Sequence, residues 1–309
     1  MFNLLKPEDY PELKKFFEKH QYMLCEYSLS SIIAWNRCVY EVSWKTEGDL
    51  LLIAETDLEP PAARRLLMPV PFPFRELPPA ELAEIALRHR HGRYYYIPQD
   101  YVERHRQDLE ALFNVTEQPG FMDYIYETRD LAALAGHKYA KKRNLMAQFQ
   151  KQTAAARPVA VEAMTAANNL TCLPLLDSWV KNPGPGAGTA MLNCERKAIV
   201  KALKHFDLLE MTGVLVFIEG KICGFAFGSR LTDGTFVLNF EKALDDVKGL
   251  YQFLDNALAK HLPPHYCLVN KESDLGEPGL AKAKESYYPV KKVRSFMLTL
   301  KGEAGKQEA

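Results

Sequence analysis

The residues best equipped for chemistry in this chain fall between Phe236 and Pro289. Glu241 closes the alternating run Phe236-Val237-Leu238-Asn239-Phe240-Glu241. A period of two puts Phe236, Leu238 and Phe240 on one face of a strand and Val237, Asn239 and Glu241 on the other. A carboxylate partly shielded from water at such a strand end has a raised pKa and can take a proton from an attacking amine or hydroxyl. It could equally pair with Lys242 or Lys248 and only fix the junction. Asn270, Glu272 and Asp274 follow the end of the next strand, where open α/β sheets gather ligands. Asp274 has a plainer alternative, which is to hold the N–H groups of the turn before the last helix. Tyr287 could protonate a leaving group, or simply pack with its hydroxyl tied to backbone. Lys284, three residues earlier on the same helical face, could hold an anion beside that hydroxyl. Glu241, Tyr287 and Glu272 are thus the catalytic candidates, with Asn239, Asn270 and Asp274 on the substrate side. Lys248-Gly249-Leu250-Tyr251 opens a helix whose unpaired N–H groups and positive dipole end suit a donor's phosphate.

Charge is otherwise balanced. Lys plus Arg and Asp plus Glu number 39 each, so no global field draws nucleic acid or an anionic membrane, and only a local patch could. One such patch exists. Between Leu131 and Val161 there is no Asp or Glu, while Lys138, Lys141, Lys142, Arg143, Lys151 and Arg157 all fall there. Such a helix would suit a phosphate-rich partner such as a tRNA acceptor stem, or would be a solvated face. His89 and His91 stand two apart and do not share a helical face, so they make no metal site, and no metal is expected. There is no serine- or cysteine-nucleophile motif and no glycine-rich loop of the nucleotide-hydrolase type. The six cysteines are scattered without a Cys-x-x-Cys pair, which reads as reduced thiols in a cytoplasmic protein. No apolar run approaches the roughly 20 residues that cross a bilayer. With 47% hydrophobic and 25% charged residues in 309, the chain is long enough for two globular domains.

The elements that must hold these residues can be placed from pattern. The first half gives a strand at Phe2 to Leu5 and a helix after Pro7. A hairpin follows over Tyr40 to Trp44 and Leu50 to Ala54, then a strand at Leu66 to Phe72 and a helix from Pro78-Pro79 to Arg90. Next come a strand at Tyr94 to Ile97, a helix over Asp100 to Phe113 and a strand at Met122 to Glu127. A helix from Leu131 to Lys151 then links to the second half. That half repeats the order with a strand at Val159 to Ala163, helices over Cys172 to Val180 and Glu195 to Phe206, and a hairpin about Glu219-Gly220. The strand, helix, strand and helix of the first paragraph follow, then a last strand from Val293 to Leu300. The halves share element order rather than residues, which is a structural repeat divided at about residue 130. Asn182-Pro183-Gly184-Pro185-Gly186-Ala187-Gly188 could be a lid or a tolerated surface loop.

This element order resembles the GNAT acyltransferase fold. Asn239-Phe240-Glu241-Lys242-Ala243, Gly249-Leu250-Tyr251-Gln252, Asn270 to Gly276, Gly279-Leu280 and Lys284 to Pro289 resemble a family related to the C-terminal domain of phosphatidylglycerol lysyltransferase. Lys138-x-x-Lys141-Lys142-Arg143-Asn144 matches that family too and resembles the Fem-type aminoacyltransferases. The resemblance implies an α+β architecture of tandem GNAT-like domains, each a mixed, mostly antiparallel sheet flanked by helices. Residues 1–130 would be a degenerate copy, and 131–309 would carry the site. Where the family commonly has Gly-Leu-Arg, this chain has Gly279-Leu280-Ala281 with Lys282 nearby. That exchanges a forked donor for a point charge.

The expected activity is transfer of an acyl or aminoacyl group from a thioester or aminoacyl-tRNA donor to an amine or hydroxyl of a small-molecule or peptide acceptor. Lys248, Gly249, Leu250, Tyr251 and Lys284 would hold the donor, acyl-CoA or aminoacyl-tRNA. Lys138, Lys141, Lys142 and Arg143 would meet the nucleic acid. The alternative is a non-catalytic sensor of a nucleotide, aminoacyl-tRNA or amino-acid metabolite.

Overall fold

Two sheets take up the alternating runs, and they match strand for strand. A computed structural model describes residues 1–38, 40–59, 63–154, 158–181 and 189–302. In the first sheet the order is Asn3–Leu4, Tyr40–Glu47, Leu50–Asp57, Arg64–Leu67, Arg93–Pro98, Ser295–Leu300 and Phe113–Glu117, with Val70–Pro71 paired to Leu50–Asp57. The second sheet runs Val159–Met164, Thr212–Ile218, Lys221–Thr232, Thr235–Ala243, Leu268–Ser273, Asp123–Glu127 and Lys291–Val293. In both, the fourth and fifth strands are the parallel pair. In both, the sixth strand comes from the other half of the chain. Asp123–Glu127, early in sequence, lies in the second sheet, while Ser295–Leu300 completes the first. A division of the sequence at about 130 therefore does not coincide with the division between sheets.

That exchange follows from one residue. The run read as a single last strand is two, because Val293 pairs with Asp123 while Ser295 pairs with Pro98. Arg294 between them carries the chain from one sheet to the other.

The packing follows the alternation. One buried cluster runs from Leu5 and Leu66 through Leu298 to Leu215, Val237 and Phe240 and is common to both halves. A second gathers Phe149, Phe236, Leu238, Leu254 and Tyr287. Each fully buried Phe contributes about 1.5–3 kcal/mol. The helix Leu250–His261 places Leu250, Leu254 and Leu258 four apart on its buried face. It joins the parallel strands as the crossover that such a pair requires.

Three expectations change. The helix expected from Leu131 to Lys151 is two, Thr128–Ala133 and Ala140–Ala154, because Leu134 ends the first in a left-handed conformation at φ 46°. The helix expected over Asp100 to Phe113 breaks at His105, and Phe113 begins a strand. The six cysteines are not all thiols: Cys38 and Cys194 form a disulfide with Cα atoms 5.3 Å apart. They are 156 residues apart in sequence, so no spacing rule finds them. The chain just past helix Leu29–Trp35 meets helix Thr189–Lys204 and brings them together. No helix among the described residues is long and apolar enough to cross a membrane. The Pro/Gly segment 182–188 and Arg157 lie outside the described residues.

Candidate active site

The site opens where two strands part. Thr235–Ala243 and Leu268–Ser273 pair in parallel only over Thr235 to Val237 and Leu268 to Asn270. Beyond that point each keeps its outer neighbour, out to Ala243 on one side and Ser273 on the other. Two bulges drive the separation. On the far strand, Lys271 and Glu272 oppose a single residue of Asp123–Glu127. Such an insertion bends a strand and re-aims its side chains, and Glu272 takes the left-handed φ of 58° to make the turn. On the near strand, Leu238 and Asn239 oppose Gly228 alone. A Cβ on Gly228 would stand 1.9 Å from the Val237 carbonyl oxygen, so only glycine admits that bulge.

The second bulge reverses the expected faces. Phe236 and Leu238 pack in one cluster while Val237 and Phe240 pack in the other. Alternation resumed after the bulge sets Glu241 on the side of Phe236 and Leu238, not of Val237. Leu238, Asn239 and Glu241 then line a cavity of about 500 Å³ together with Lys271 and Glu272. Helix Leu250–His261 adds Tyr251, Gln252 and Asp255 to its wall, and helix Pro278–Glu285 adds Leu280, Ala283 and Lys284. Tyr287 and Lys142 complete it.

Charges inside the cavity are heavily engaged. Lys271 donates to the Asp255 carboxylate and lies 3.6 Å from Glu241 Oε2. Mutual attraction keeps its ammonium charged, its pKa raised despite burial. The other Glu241 oxygen, Oε1, is buried without a hydrogen-bond partner. Burial, then the Asp255 charge, push the Glu241 carboxyl up to about 7 against the pull of Lys271. Glu272 is pushed up to about 8 by burial, with Lys284 opposing. It accepts from Asn239 Nδ2 at 3.2 Å, and Asn239 is oriented by the Ser229 hydroxyl at 2.8 Å. The Tyr287 hydroxyl is buried and no group meets it with hydrogen-bond geometry among the described residues. Burial and the Asp255 carboxylate beside it hold it protonated.

Lys284 is not an anion hook. Its ammonium donates to the carbonyls of Lys271, Glu272 and Ser273 at 2.5, 3.0 and 2.6 Å. All three N–H groups are spent bracing the bulge.

The helix start at Gly249 does not offer the open anion site expected of it. Gly249 is buried at φ 86°, and a Cβ there would lie 2.1 Å from the Leu145 carbonyl oxygen. Helix Ala140–Ala154 therefore lies across that end. Leu250 belongs to the core, Lys248 is exposed, and of the four residues only Tyr251 faces the cavity.

Asn270 and Asp274 do not line the cavity either. Asn270 donates to the Met23 carbonyl and Asp123, and accepts from the Glu272 N–H. Asp274 accepts from the Tyr124 hydroxyl at 2.5 Å and the Gly276 N–H at 2.9 Å, the turn-holding role.

The basic helix does not present its cations together. Lys138 pairs with Asp130 at 3.1 Å, and Arg143 donates to the carbonyls of Leu134 and Gly136. Lys142 turns inward, and Lys141 is exposed. Behind Asn270, Cys25, Glu26 and Asp123 bring potential metal-ligating atoms within 4.8 Å of one another. Asp123 there already accepts from the Cys25 and Asn270 N–H groups.

Sequence reasoning missed Asp255 and Lys271. Asp255 stands four residues after Tyr251 on the same helix, the one pattern that could have tied it to the cavity. Lys271 is placed by the bulge, which leaves no mark in local sequence.

A family model described as phosphatidylglycerol lysyltransferase, C-terminal, matches residues 25–299. A conserved protein of unknown function from Bacteroides thetaiotaomicron is 30% identical in sequence. It superposes with a TM-score of 0.84 over 97% of this chain and 99% of that one. A C-terminal domain assigned to a lysylphosphatidylglycerol synthetase of Agrobacterium fabrum is 13% identical, with a TM-score of 0.62 over 96% and 93% of the two chains. A tandem GNAT protein from the clavulanic acid biosynthesis pathway is 9% identical, with a TM-score of 0.50 over 98% of each chain. The last two speak to the fold alone, which is that of paired GNAT-like sheets. No curated protein matches the chain.

Proposed function

The chain belongs to the phosphatidylglycerol lysyltransferase C-terminal family, and from that premise we propose that it transfers an acyl or aminoacyl group to an amine or hydroxyl within the cavity between the parted strands. Family and fold support a transferase of this kind. The observation that carries the reading is Glu241: a buried carboxylate with one oxygen held near Lys271 and the other without a partner, poised to titrate at about 7. A general base works best with a pKa near the working pH.

In this reading the acceptor's nitrogen or oxygen attacks the donor carbonyl and passes its proton to Glu241 Oε1. The bond from carbonyl carbon to the donor's oxygen or sulfur breaks, and Tyr287, kept protonated by burial, supplies a proton to that leaving group. The proton on Glu241 returns to Tyr287 between turnovers, so the balance closes. Asp255 and Lys271 hold Glu241 in place, and Asn239 does the same for Glu272. The Leu145 carbonyl over Gly249 argues against a pyrophosphate at that helix end. It favours a donor whose reactive carbonyl enters the cavity on its own, as an aminoacyl ester can, over coenzyme A bound in the usual way. Any tRNA contact through helix Ala140–Ala154 then rests on the exposed Lys141 and Lys151.

Glu241→Gln tests the assignment. With aminoacyl and acyl donors offered in single-turnover assays, transfer should fall by about 10²–10⁴-fold while ligand-induced thermal stabilisation persists. Undiminished transfer would remove Glu241 as the base. A second reading, a ligand-binding protein without turnover, is favoured by Ala281 and by the committed donors of Lys284. Stabilisation by a donor with no product from the unaltered chain would decide for it.

A further inference from the structure

Lys142 is the cavity amine that no role above employs. It is 8% exposed, whereas its neighbours Lys141 and Arg143 on the same helix are exposed. A lysine is rarely buried without a carboxylate partner. Its Nζ donates to the Ser286 hydroxyl at 2.6 Å, and that hydroxyl gives its own proton to the Ala283 carbonyl at 2.6 Å. Ser286 therefore turns a lone pair toward Lys142 and fixes where its nitrogen points. A neutral oxygen of this kind aims the amine without holding its charge as a carboxylate would.

The surrounding groups act the same way. Lys142 Nζ lies 3.7 Å from the centre of the Tyr287 ring, and Lys271 Nζ lies 5.1 Å from that same centre. Two ammonium groups thus share one aromatic ring and repel each other, and Lys141 adds to the repulsion. Asp255 is the carboxylate that favours a charged Lys142, and it is already paired with Lys271. Burial first, then these cations, bring Lys142 down to about 8.

The other two cavity lysines differ in kind. Lys271 is locked between Asp255 and Glu241, and a neutral Lys284, left with two N–H groups, would abandon one of the three buried carbonyls it braces. A desolvated lysine beside a second cation is the setting that makes an amine nucleophilic at neutral pH.

We propose that Lys142 is a nucleophilic lysine and a self-acylation site, taking the acyl group of small activated acyl compounds that enter the cavity. The unprotonated Nζ attacks the acyl carbon of a thioester or acyl phosphate. The nitrogen–carbon bond forms and the carbon–sulfur or carbon–oxygen bond breaks. The thiol or phosphate departs with the electron pair and the proton that nitrogen loses. The resulting amide removes one of the two positive charges over Tyr287 and occupies the cavity, so acylation should shut out its other ligands. Nothing in this requires Glu241 to be a base, so it stands or falls apart from the transfer reaction.

The test is internal to one chain. The unaltered protein is exposed to limiting acetyl phosphate, and separately to limiting acetyl-CoA, across pH 6 to 10. Acetylation at each lysine is then measured by peptide mass spectrometry. Lys142 should be acetylated at least about tenfold faster than the adjacent, exposed Lys141 near pH 7, with its rate reaching half its plateau near pH 8. Ser286→Ala, which removes the aiming hydroxyl, should narrow that ratio. Labelling of Lys142 no faster than that of Lys141, or a Lys142 rate still rising steeply between pH 9 and pH 10 with no plateau, would overturn the proposal.

Discussion

Glu241 and Asp255 share a single ammonium. Asp255 is in direct contact with Lys271 Nζ, while Glu241 stands 3.6 Å away from it. All three side chains are at most 17% exposed. Two carboxylates and one cation leave a net negative charge, and the structure accommodates it by letting Glu241 approach neutrality at about 7.

Removing the shared cation should be costly. Lys271→Met strands two buried acids and is expected to destabilise the fold by about 3–5 kcal/mol. Adding Asp255→Leu should recover much of that loss, because replacing both partners by apolar groups is often close to neutral. Urea denaturation of the two variants checks this, and a double variant no better than the single would speak against the pairing.

Stability should fall as pH rises from about 4 to 8. Glu241 and Glu272, raised to about 7 and about 8, bind protons in the folded state that the unfolded chain has released above roughly 4.3. Their stabilisation is full below that value and lost as pH passes through 7 to 8. Lys142, lowered to about 8, acts in the opposite sense: the unfolded chain holds its proton up to roughly 10.4, so its own contribution rises with pH across that upper window and opposes the buried thiols and tyrosines, whose raised pKa values lower stability there. Thermal midpoints should therefore be higher at pH 5 than at pH 8. Glu272→Gln should flatten that descent, and Lys142→Met should steepen it above about pH 8.

Gly249→Ala probes the crossing of two helices. The added methyl would meet the Leu145 carbonyl at 2.1 Å, in a backbone conformation at φ 86° that side chains resist. A loss of about 1–3 kcal/mol is expected. Because helix Ala140–Ala154 must shift to make room, faster hydrogen exchange should appear at residues 140–150, and an unchanged exchange pattern would mean that the helix end is open after all.

The disulfide ties the two halves. Closing a loop between Cys38 and Cys194, 156 residues apart, should stabilise the chain by roughly 2–4 kcal/mol. A reductant is expected to lower the Tm, and Cys38→Ser should lower it similarly while abolishing the response to reductant. Thiol counting in denaturant should find four free cysteines before reduction, Cys25, Cys172, Cys223 and Cys267.

Much of the local architecture is legible in the residues. The hairpin about Glu219-Gly220 and the strand-helix-strand of Thr235–Ala243, Leu250–His261 and Leu268–Ser273 follow from period-two and period-four spacing. The repeated order of elements in the two halves reappears as two sheets matched strand for strand. What failed is where a neighbour's register intervenes. Gly228 is on the adjoining strand, and its missing Cβ lets Leu238 and Asn239 bulge and moves Glu241 to the other face. Alternation read along one strand holds no trace of that.

The sequence by itself determined which residues could do acid–base work, that they cluster after Phe236, and which strands and helices carry them, because hydrophobic period and turn chemistry act over a few neighbours. Only the tertiary structure decided which of them meet. Asp255, Lys271 and Lys142 enter the cavity, while Asn270, Asp274 and Gly249 serve the scaffold around it. That choice depends on bulges, exchanged strands and a helix crossing, contacts between residues far apart in the chain, where packing and the cost of burying charge set the outcome.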